Sequence, residues 1–249
     1  MSADLERGLV YLPIEAATSD IYGGHRPGDN LYSTSLVALH AATGRRVWHY
    51  QIVHHDIWDR DNPAAPILMD IRRAGKTIPA AAQLTKQAFT YVFDRRSGEP
   101  LWPIREQPVP QSDVPGERTS PTQPIPTLPE PFDRQGVSEA DLIDFTPELR
   151  AEALLQVQDL RLGTLFAPPS LADAADGTRG TLVLPGSVGG ANWEGGAYDP
   201  ELQLLFVGSM TAPSVCGLAP DPGSDVAYSM VGRVPRVSEL PLLKPLTAA

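Results

Sequence analysis

Short runs of apolar residues, separated by turn residues, predict a chain built mainly from β-strands. Residues 36–48 and 90–102 share one pattern: an apolar strand, a turn in which Thr or Ser precedes Gly, and a second strand that carries Trp48 or Trp102. The same number of residues separates the two glycines and the two tryptophans. Repeats of short strands at a period of roughly 40 to 50 residues are typical of β-propellers, whose blades are four-stranded sheets.

A second pair of similar segments supports this interpretation. Residues 4–11 and 199–206 each place Asp at a turn and continue directly into an apolar strand that we expect to be buried. The predicted fold class is therefore all-β, a β-propeller.

Proline interrupts the strand pattern in one place. Ten of the 26 prolines lie from Pro100 to Pro131. Because proline fixes φ and donates no hydrogen bond, this tract predicts an extended arm rather than a sheet or a helix. Such an arm is usually packing or a linker, and we assign it no catalytic role.

Helical signals follow the arm. Ser138 is a candidate N-cap for residues 139–141, and Thr146 with Pro147 begins a predicted helix over residues 148–155. We expect this helix to pack outside the propeller, between blades. The chain is thus predicted as one propeller domain, residues 1–249, with the arm and the helical segment inserted at about 103–160.

Composition narrows the classes of function. The 249 residues are 42% hydrophobic and carry a formal net charge of −10, with scattered Lys and Arg. This charge argues against nucleic acid and anionic membrane surfaces as partners. The sequence shows no secretory signal and no apolar run near the ~18 residues that span a bilayer. A single cysteine, Cys216, excludes an internal disulfide and any multi-cysteine metal site.

The densest candidate chemistry lies in the octet, residues 54–61, which holds two histidines, three aspartates and Trp58. It follows an apparent strand over residues 47–53, and strand ends are where rigid scaffolds place reactive groups. Asp59 and Asp61 could share a hard cation, or one of them could act as a general base. The alternative is a solvated acidic loop with Trp58 as its hydrophobic anchor.

Several ordered motifs resemble one known family, the pyrroloquinoline quinone (PQQ)-dependent dehydrogenases, particularly its membrane-bound glucose and quinate dehydrogenase branch. The motifs that carry the resemblance are residues 22–32, 54–59, 85–87, 93–98, 108–111, 120–124, 189–193 and 240–245.

The resemblance implies an eight-bladed propeller around one PQQ and a divalent cation, usually calcium, with magnesium or a lanthanide as alternatives. This chain would supply middle to later blades, and further blades would be needed for closure. The implied activity is dehydrogenation of a sugar, polyol or other alcohol by hydride transfer to the quinone. Electrons would pass to an acceptor such as ubiquinone or cytochrome c, and the protein would lie in the periplasm, either free or at the inner membrane. A non-catalytic scaffold propeller and an inactive truncated fragment are the alternatives.

Three residues acquire roles from the resemblance. Asp59 aligns with the catalytic base and, with Asp61, is a candidate cation ligand. A solvated role for Asp61, or one beside the ligands, stays open. Lys86 aligns with the basic residue that hydrogen-bonds the quinone oxygens, and the alternative is an ordinary surface lysine.

The glycine-rich loop supplies two further candidates. Asn192 and Trp193 fit a contact to the cofactor edge, although Trp193 could instead be a core indole at a turn. One position departs from the family pattern: Ala16 stands where many relatives carry an asparagine metal ligand. Glu15 or Asp20 could supply oxygen in its place.

Overall fold

The computed structural model describes residues 1–233, 235–238 and 240–245. Strands dominate, as predicted. They are β1 (Ser2–Asp4), β2 (Leu9–Pro13), β3 (Ser35–His40), β4 (Arg46–Gln51), β5 (Ile67–Arg73), β6 (Lys76–Leu84), β7 (Thr90–Asp94), β8 (Ile104–Pro108), β9 (Thr122–Pro126), β10 (Ser170–Leu171), β11 (Thr181–Val183), β12 (Gly196–Asp199), β13 (Leu204–Val207), β14 (Ser214–Pro220), β15 (Tyr228–Arg233), β16 (Arg236–Val237) and β17 (Leu240–Pro241).

The first repeat lies in a complete four-stranded antiparallel sheet, β1-β2-β3-β4, the blade that the pattern predicts. The second repeat begins with β7, an edge strand of the three-stranded antiparallel sheet β5-β6-β7. Its expected last strand is reduced to one bridge between Phe93 and Pro100. Pro100 and Pro103 have no N–H to donate, which limits further pairing there.

Trp48 joins these two sheets. Its ring lies 5.9 Å from the rings of Tyr11 and Phe93, centre to centre, and its Nε1 donates to the Arg95 carbonyl at 3.1 Å. Gly98 sits directly on the indole, since a Cβ there would approach Trp48 to 2.7 Å. The turn of the second repeat therefore covers the tryptophan of the first.

The proline-rich tract is not a featureless extended arm. β8 and β9 form an antiparallel ribbon, so the expectation that the tract avoids sheet structure is wrong. Alternate positions along β9 are occupied by Thr122, Pro124 and Pro126, and Thr122 pairs with Pro108 of β8. Alternate residues point their nitrogens to one side of a strand, so these prolines fall where no ladder hydrogen bond is needed.

Helical structure begins where the capping signals predict. Ser138 precedes a 3₁₀ turn, Glu139–Asp141, and its Oγ donates to Asp141 Oδ2 at 2.7 Å. Helix α1 spans Pro147–Val157, and Thr146 Oγ1 accepts from Leu149 N at 3.2 Å. Its buried residues join a second core with apolar side chains from β11, β14 and β16.

The remaining sheets are smaller. β14 pairs with β15 on one edge and with β10 and β11 on the other, while β12–β13 and β16–β17 are two-stranded. The expectation of a buried strand holds for β2 and is wrong for β13, where Leu204 and Phe206 are exposed. Among the described residues, no third strand pairs with β12–β13. The described helices include none long and apolar enough to cross a membrane.

Candidate active site

The octet leaves β4 in a conformation fixed by buried contacts. The Asp56 carboxylate, fully buried, accepts hydrogen bonds from Thr34 Oγ1, Trp58 N and Arg60 N at 2.8 to 3.0 Å. Burial raises the pKa of Asp56 overall, against the opposing effect of these donors. Trp58 is buried and anchors the octet, as expected for the acidic-loop alternative. The centre of the octet, however, is buried rather than solvated.

Asp59 lies between those contacts with a φ of 57°, a left-handed conformation that costs energy for a residue other than glycine. Its backbone N donates to the Asp20 carbonyl at 3.3 Å. The surrounding contacts therefore hold the Asp59 backbone in a conformation it would seldom adopt alone.

Lys86 brings the two candidate carboxylates together. It lies between β6 and β7, and its Nζ donates to Asp59 Oδ1 at 2.7 Å and to Asp61 Oδ2 at 3.0 Å. The side chain is only 7% exposed, so it is not an ordinary surface lysine. Burial lowers the pKa of Lys86, but the two carboxylates outweigh it and raise the pKa overall.

The two carboxylates differ in their electrostatics. Burial raises the pKa of Asp59 to about 7, against the stabilising charge of Lys86. Burial acts in the same direction on Asp61, but the hydrogen bond from Ala16 N, at 2.6 Å, and the Lys86 charge together lower its pKa. Asp59 is therefore the carboxyl with a pKa near neutrality, which suits proton transfer.

The segment that contains Ala16, where many relatives carry an asparagine, contacts this site through its backbone. Ala16 N holds Asp61, and the Asp20 carbonyl accepts from Asp59 N. No described hydrogen bond brings the side chain of Glu15 or Asp20 to either carboxylate. Sequence reasoning anticipated side-chain oxygens here and missed the backbone contacts.

The glycine-rich loop packs on Lys86. A Cβ at Gly189, whose φ is 80°, would lie 2.5 Å from Lys86 Cγ, and Gly190 N donates to the Lys86 carbonyl at 2.8 Å. The Asn192 side chain bonds within its own loop, to Val188 O and Trp193 N. Trp193 is 78% exposed, so the core-indole alternative is wrong. The described contacts join neither residue to Lys86 or Asp59.

Two buried interactions near the site were not predicted from the sequence. Arg60 is fully buried, and its guanidinium donates to the Gly186 carbonyl at 3.1 Å. His55 Nε2 contacts Glu117 Oε1 at 2.7 Å with both side chains almost completely buried. A repeat pattern gives no signal for either, because the partners come from distant loops.

The donor set offers part of a cation site. Asp59 and Asp61 supply carboxylate oxygens, the ligands that hard cations prefer, on side chains that remain 21% and 26% exposed. Within the described ranges, no group of three or more His, Cys, Asp or Glu residues is placed to hold a metal. The two carboxylates and Lys86 form one charged cluster, in which the carboxylates are the partly exposed members.

A comparison with known protein families finds a match over most of the chain. The family described as "PQQ: Glucose/ethanol/alcohol dehydrogenase, beta-propeller domain" matches residues 1–236. The chain belongs to this family. The predicted β-propeller class is thereby confirmed, and so is the resemblance to PQQ-dependent dehydrogenases.

Curated relatives point to the same branch. The chain is 38% identical over 219 residues to Quinoprotein glucose dehydrogenase of Escherichia coli (strain K12), covering 87% of this chain and 26% of the relative. It is 37% identical over 212 residues to Quinate/shikimate dehydrogenase (quinone) of Acinetobacter baylyi, covering 84% and 25%. The chain thus spans about a quarter of the length of these relatives.

Solved structures share the fold. A quinohemoprotein alcohol dehydrogenase from Pseudomonas putida HK5 superposes with a TM-score of 0.58 at 20% identity, covering 93% of this chain and 29% of that one. A europium-containing methanol dehydrogenase gives a TM-score of 0.54 at 20% identity, covering 91% and 32%.

Proposed function

We propose that this chain forms part of a PQQ-dependent oxidoreductase that dehydrogenates a sugar, polyol or other alcohol, with Asp59 as the general base. The observation that carries the proposal is the pairing of Lys86 with Asp59 and Asp61 at a strand end. A scaffold propeller has no need for a largely buried lysine between two carboxylates. The arrangement therefore favours catalysis over a scaffold role or an inactive remnant.

In this proposal each residue has one task. The quinone, when bound, accepts the hydride from the alcohol carbon. Asp59 accepts the hydroxyl proton at its carboxylate, which a neighbouring cation would keep ionised at neutral pH. Lys86 would hold the quinone oxygens by hydrogen bonds and would stabilise negative charge there. Asp59 and Asp61 would offer oxygen ligands to a divalent cation, and Asn192 and Trp193 would contact the cofactor edge.

We infer the remaining features from relatedness. Calcium suits carboxylate oxygens, and magnesium or a lanthanide could replace it. We propose a periplasmic location, either free or at the inner membrane, and an acceptor such as ubiquinone or cytochrome c. We also propose that residues 1–249 belong to one propeller domain, with an insertion at about 103–160, that further blades complete.

A graft tests this function directly. In the graft, this chain replaces the matched segment of the E. coli Quinoprotein glucose dehydrogenase, so that the rest of the propeller is present. We expect the folded graft to bind PQQ with calcium and to reduce an artificial acceptor dye with glucose or another alcohol. A graft that folds, as judged by circular dichroism, but neither binds PQQ nor turns over would contradict the proposal.

A further inference from the structure

The proline-rich tract contacts the octet at two successive residues. Gln123, on β9 and fully buried, makes a double hydrogen bond with the His54 backbone: its Nε2 donates to His54 O at 2.7 Å and its Oε1 accepts from His54 N at 2.8 Å. Glu117, in the loop between β8 and β9, contacts His55 Nε2 at 2.7 Å. One insertion thus fixes both the backbone and a side chain of the octet's first two residues.

The contact between Glu117 and His55 is enclosed. His55 and Glu117 side chains are 3% and 1% exposed, and His55 Nδ1 donates to the Gly28 carbonyl at 2.7 Å. The second Glu117 oxygen accepts from Gly23 N at 2.5 Å. A Cβ at Gly23 would lie 2.5 Å from His55 Nε2, so the neighbouring loop closes tightly over the pair. Enclosed, fully bonded groups of this kind restrict motion strongly.

The tract is itself anchored to two buried tyrosines. Tyr91, in β7, donates from its hydroxyl to the Pro124 carbonyl at 2.7 Å. Tyr22, in the loop between β2 and β3, donates to the Pro115 carbonyl at 3.1 Å. The residues that hold the octet are therefore attached to buried side chains of the core.

The restraint continues from His55 to the candidate base. His55 has a φ of 45° and Asp59 a φ of 57°, and Asp56 between them bonds to the backbone N–H groups on either side of Asp59. Left-handed residues persist only where their surroundings over-determine the backbone. Buried contacts therefore hold the octet backbone from His54 to Arg60, on both sides of Asp59.

We propose that the proline-rich tract positions the general base, with Glu117 and Gln123 as positioning residues that hold His55 and His54 and so orient Asp59. This inference rests on the proposed function of Asp59. The tract was expected to be packing or a linker, and its contacts give it a specific task at the site.

The test compares two independent variants with matched controls in the graft and in the 249-residue chain. We expect Glu117→Ala and Gln123→Ala each to lower kcat at least tenfold, with KM and PQQ affinity changed less than about threefold, since misplacing a reacting group by 1 Å can cost about 100-fold. Glu130→Ala and Gln107→Ala remove exposed side chains of the same tract and leave kcat unchanged.

A conservative variant separates positioning from bulk stability. Glu117→Gln keeps an oxygen for Gly23 N and an amide that can donate to neutral His55 Nε2, and it gives up only the bond from Arg118 N, so we expect kcat within about threefold of wild type. A purely structural role would instead lower the melting temperature of all three variants and leave kcat intact at temperatures well below melting. That result would overturn the positioning role.

Hydrogen exchange distinguishes this inference from the proposed function. In the 249-residue chain, Glu117→Ala and Gln123→Ala should accelerate exchange of the Trp58, Asp59 and Arg60 amides at least tenfold, and the two controls should not. If the wild-type graft lacks turnover, the proposed function fails, while unaltered exchange in both variants overturns the positioning role. If Glu117→Ala does not fold, Gln123→Ala decides the outcome.

Discussion

The two repeat glycines offer a matched pair of substitutions. Gly44 and Gly98 occupy the same turn position in the two repeats, with φ of 69° and 77°. A Cβ at Gly44 would meet nothing within 4 Å, whereas one at Gly98 would lie 2.7 Å from the Trp48 indole. Gly44→Ala therefore measures the backbone cost alone, and Gly98→Ala adds the cost of displacing Trp48.

The expected magnitudes follow from these two terms. A left-handed alanine costs about 1–2 kcal/mol in either turn. Overpacking a filled core costs about 1–3 kcal/mol more, and Trp48 has little room to move between Tyr11, Phe93 and its hydrogen bond to Arg95. We therefore expect Gly44→Ala to lower the free energy of unfolding by about 1–2 kcal/mol and Gly98→Ala by about 2–5 kcal/mol.

Urea denaturation of the two variants and wild type, followed by tryptophan fluorescence, measures the difference. The slope of free energy against urea should stay constant across the three proteins. Equal destabilisation by both substitutions would refute the claim that the second repeat's turn is packed against Trp48.

Three further predictions concern charge and reactivity. Lys86→Ala should weaken PQQ binding to the graft at least tenfold, about 1.4 kcal/mol, by isothermal titration calorimetry, whereas removal of exposed Lys76 should not; equal affinities would exclude Lys86 from the cofactor site. Burial and the charge of Arg26 act to lower the pKa of His55, but the hydrogen bonds of His55 to Glu117 and Gly28 outweigh them and raise this pKa overall. Burial acts to raise the pKa of Glu117, but the hydrogen bonds of Glu117 to His55 and Gly23 outweigh it and lower this pKa overall. The pair's contribution to stability is therefore full between about pH 4.5 and 6.5, the ordinary pKa values of the two groups, and is lost at lower pH as folded Glu117 gains a proton and at higher pH as folded His55 loses one. The difference in unfolding free energy between wild type and Glu117→Gln should therefore peak in that window. A difference that rises steadily to pH 9 would contradict the pairing. Cys216 is buried, and burial raises the pKa of its thiol, so a thiol reagent should label it only as the protein unfolds; rapid stoichiometric labelling of the folded chain would show that the thiol is accessible.

Local patterns predicted most of the strands, the glycine turns and the capped helix, because these features depend on neighbouring residues. Apolar runs, glycine turns and the Thr146–Pro147 start are local signals, and the structure contains each of them. Burial was harder to predict. The apolar run in β13 predicts a strand, but it does not say whether another element covers Leu204 and Phe206.

The site shows the same difference between what neighbouring residues predict and what packing of distant segments decides. The octet stood out by composition, yet spacing alone left a cation site and a solvated loop equally open. Lys86 lies 27 residues from Asp59 in the chain, and only family resemblance linked the two before the structure placed them 2.7 Å apart. Glu117 is 62 residues from His55, within a tract whose prolines obscure any strand period. Contacts of such long separation depend on the packing of whole sheets.

The central claim is that Asp59 is the base, and Asp59→Asn tests it most directly. Asparagine has nearly the same shape, tolerates the left-handed backbone and still accepts from Lys86, but it cannot take up the alcohol proton at neutral pH. In the graft we expect PQQ affinity within about twofold of wild type and turnover lowered by at least about 100-fold, the usual range for loss of a general base. Replacing exposed Asp173 by Asn is the control and should change neither. Turnover by Asp59→Asn at the wild-type rate would contradict the account.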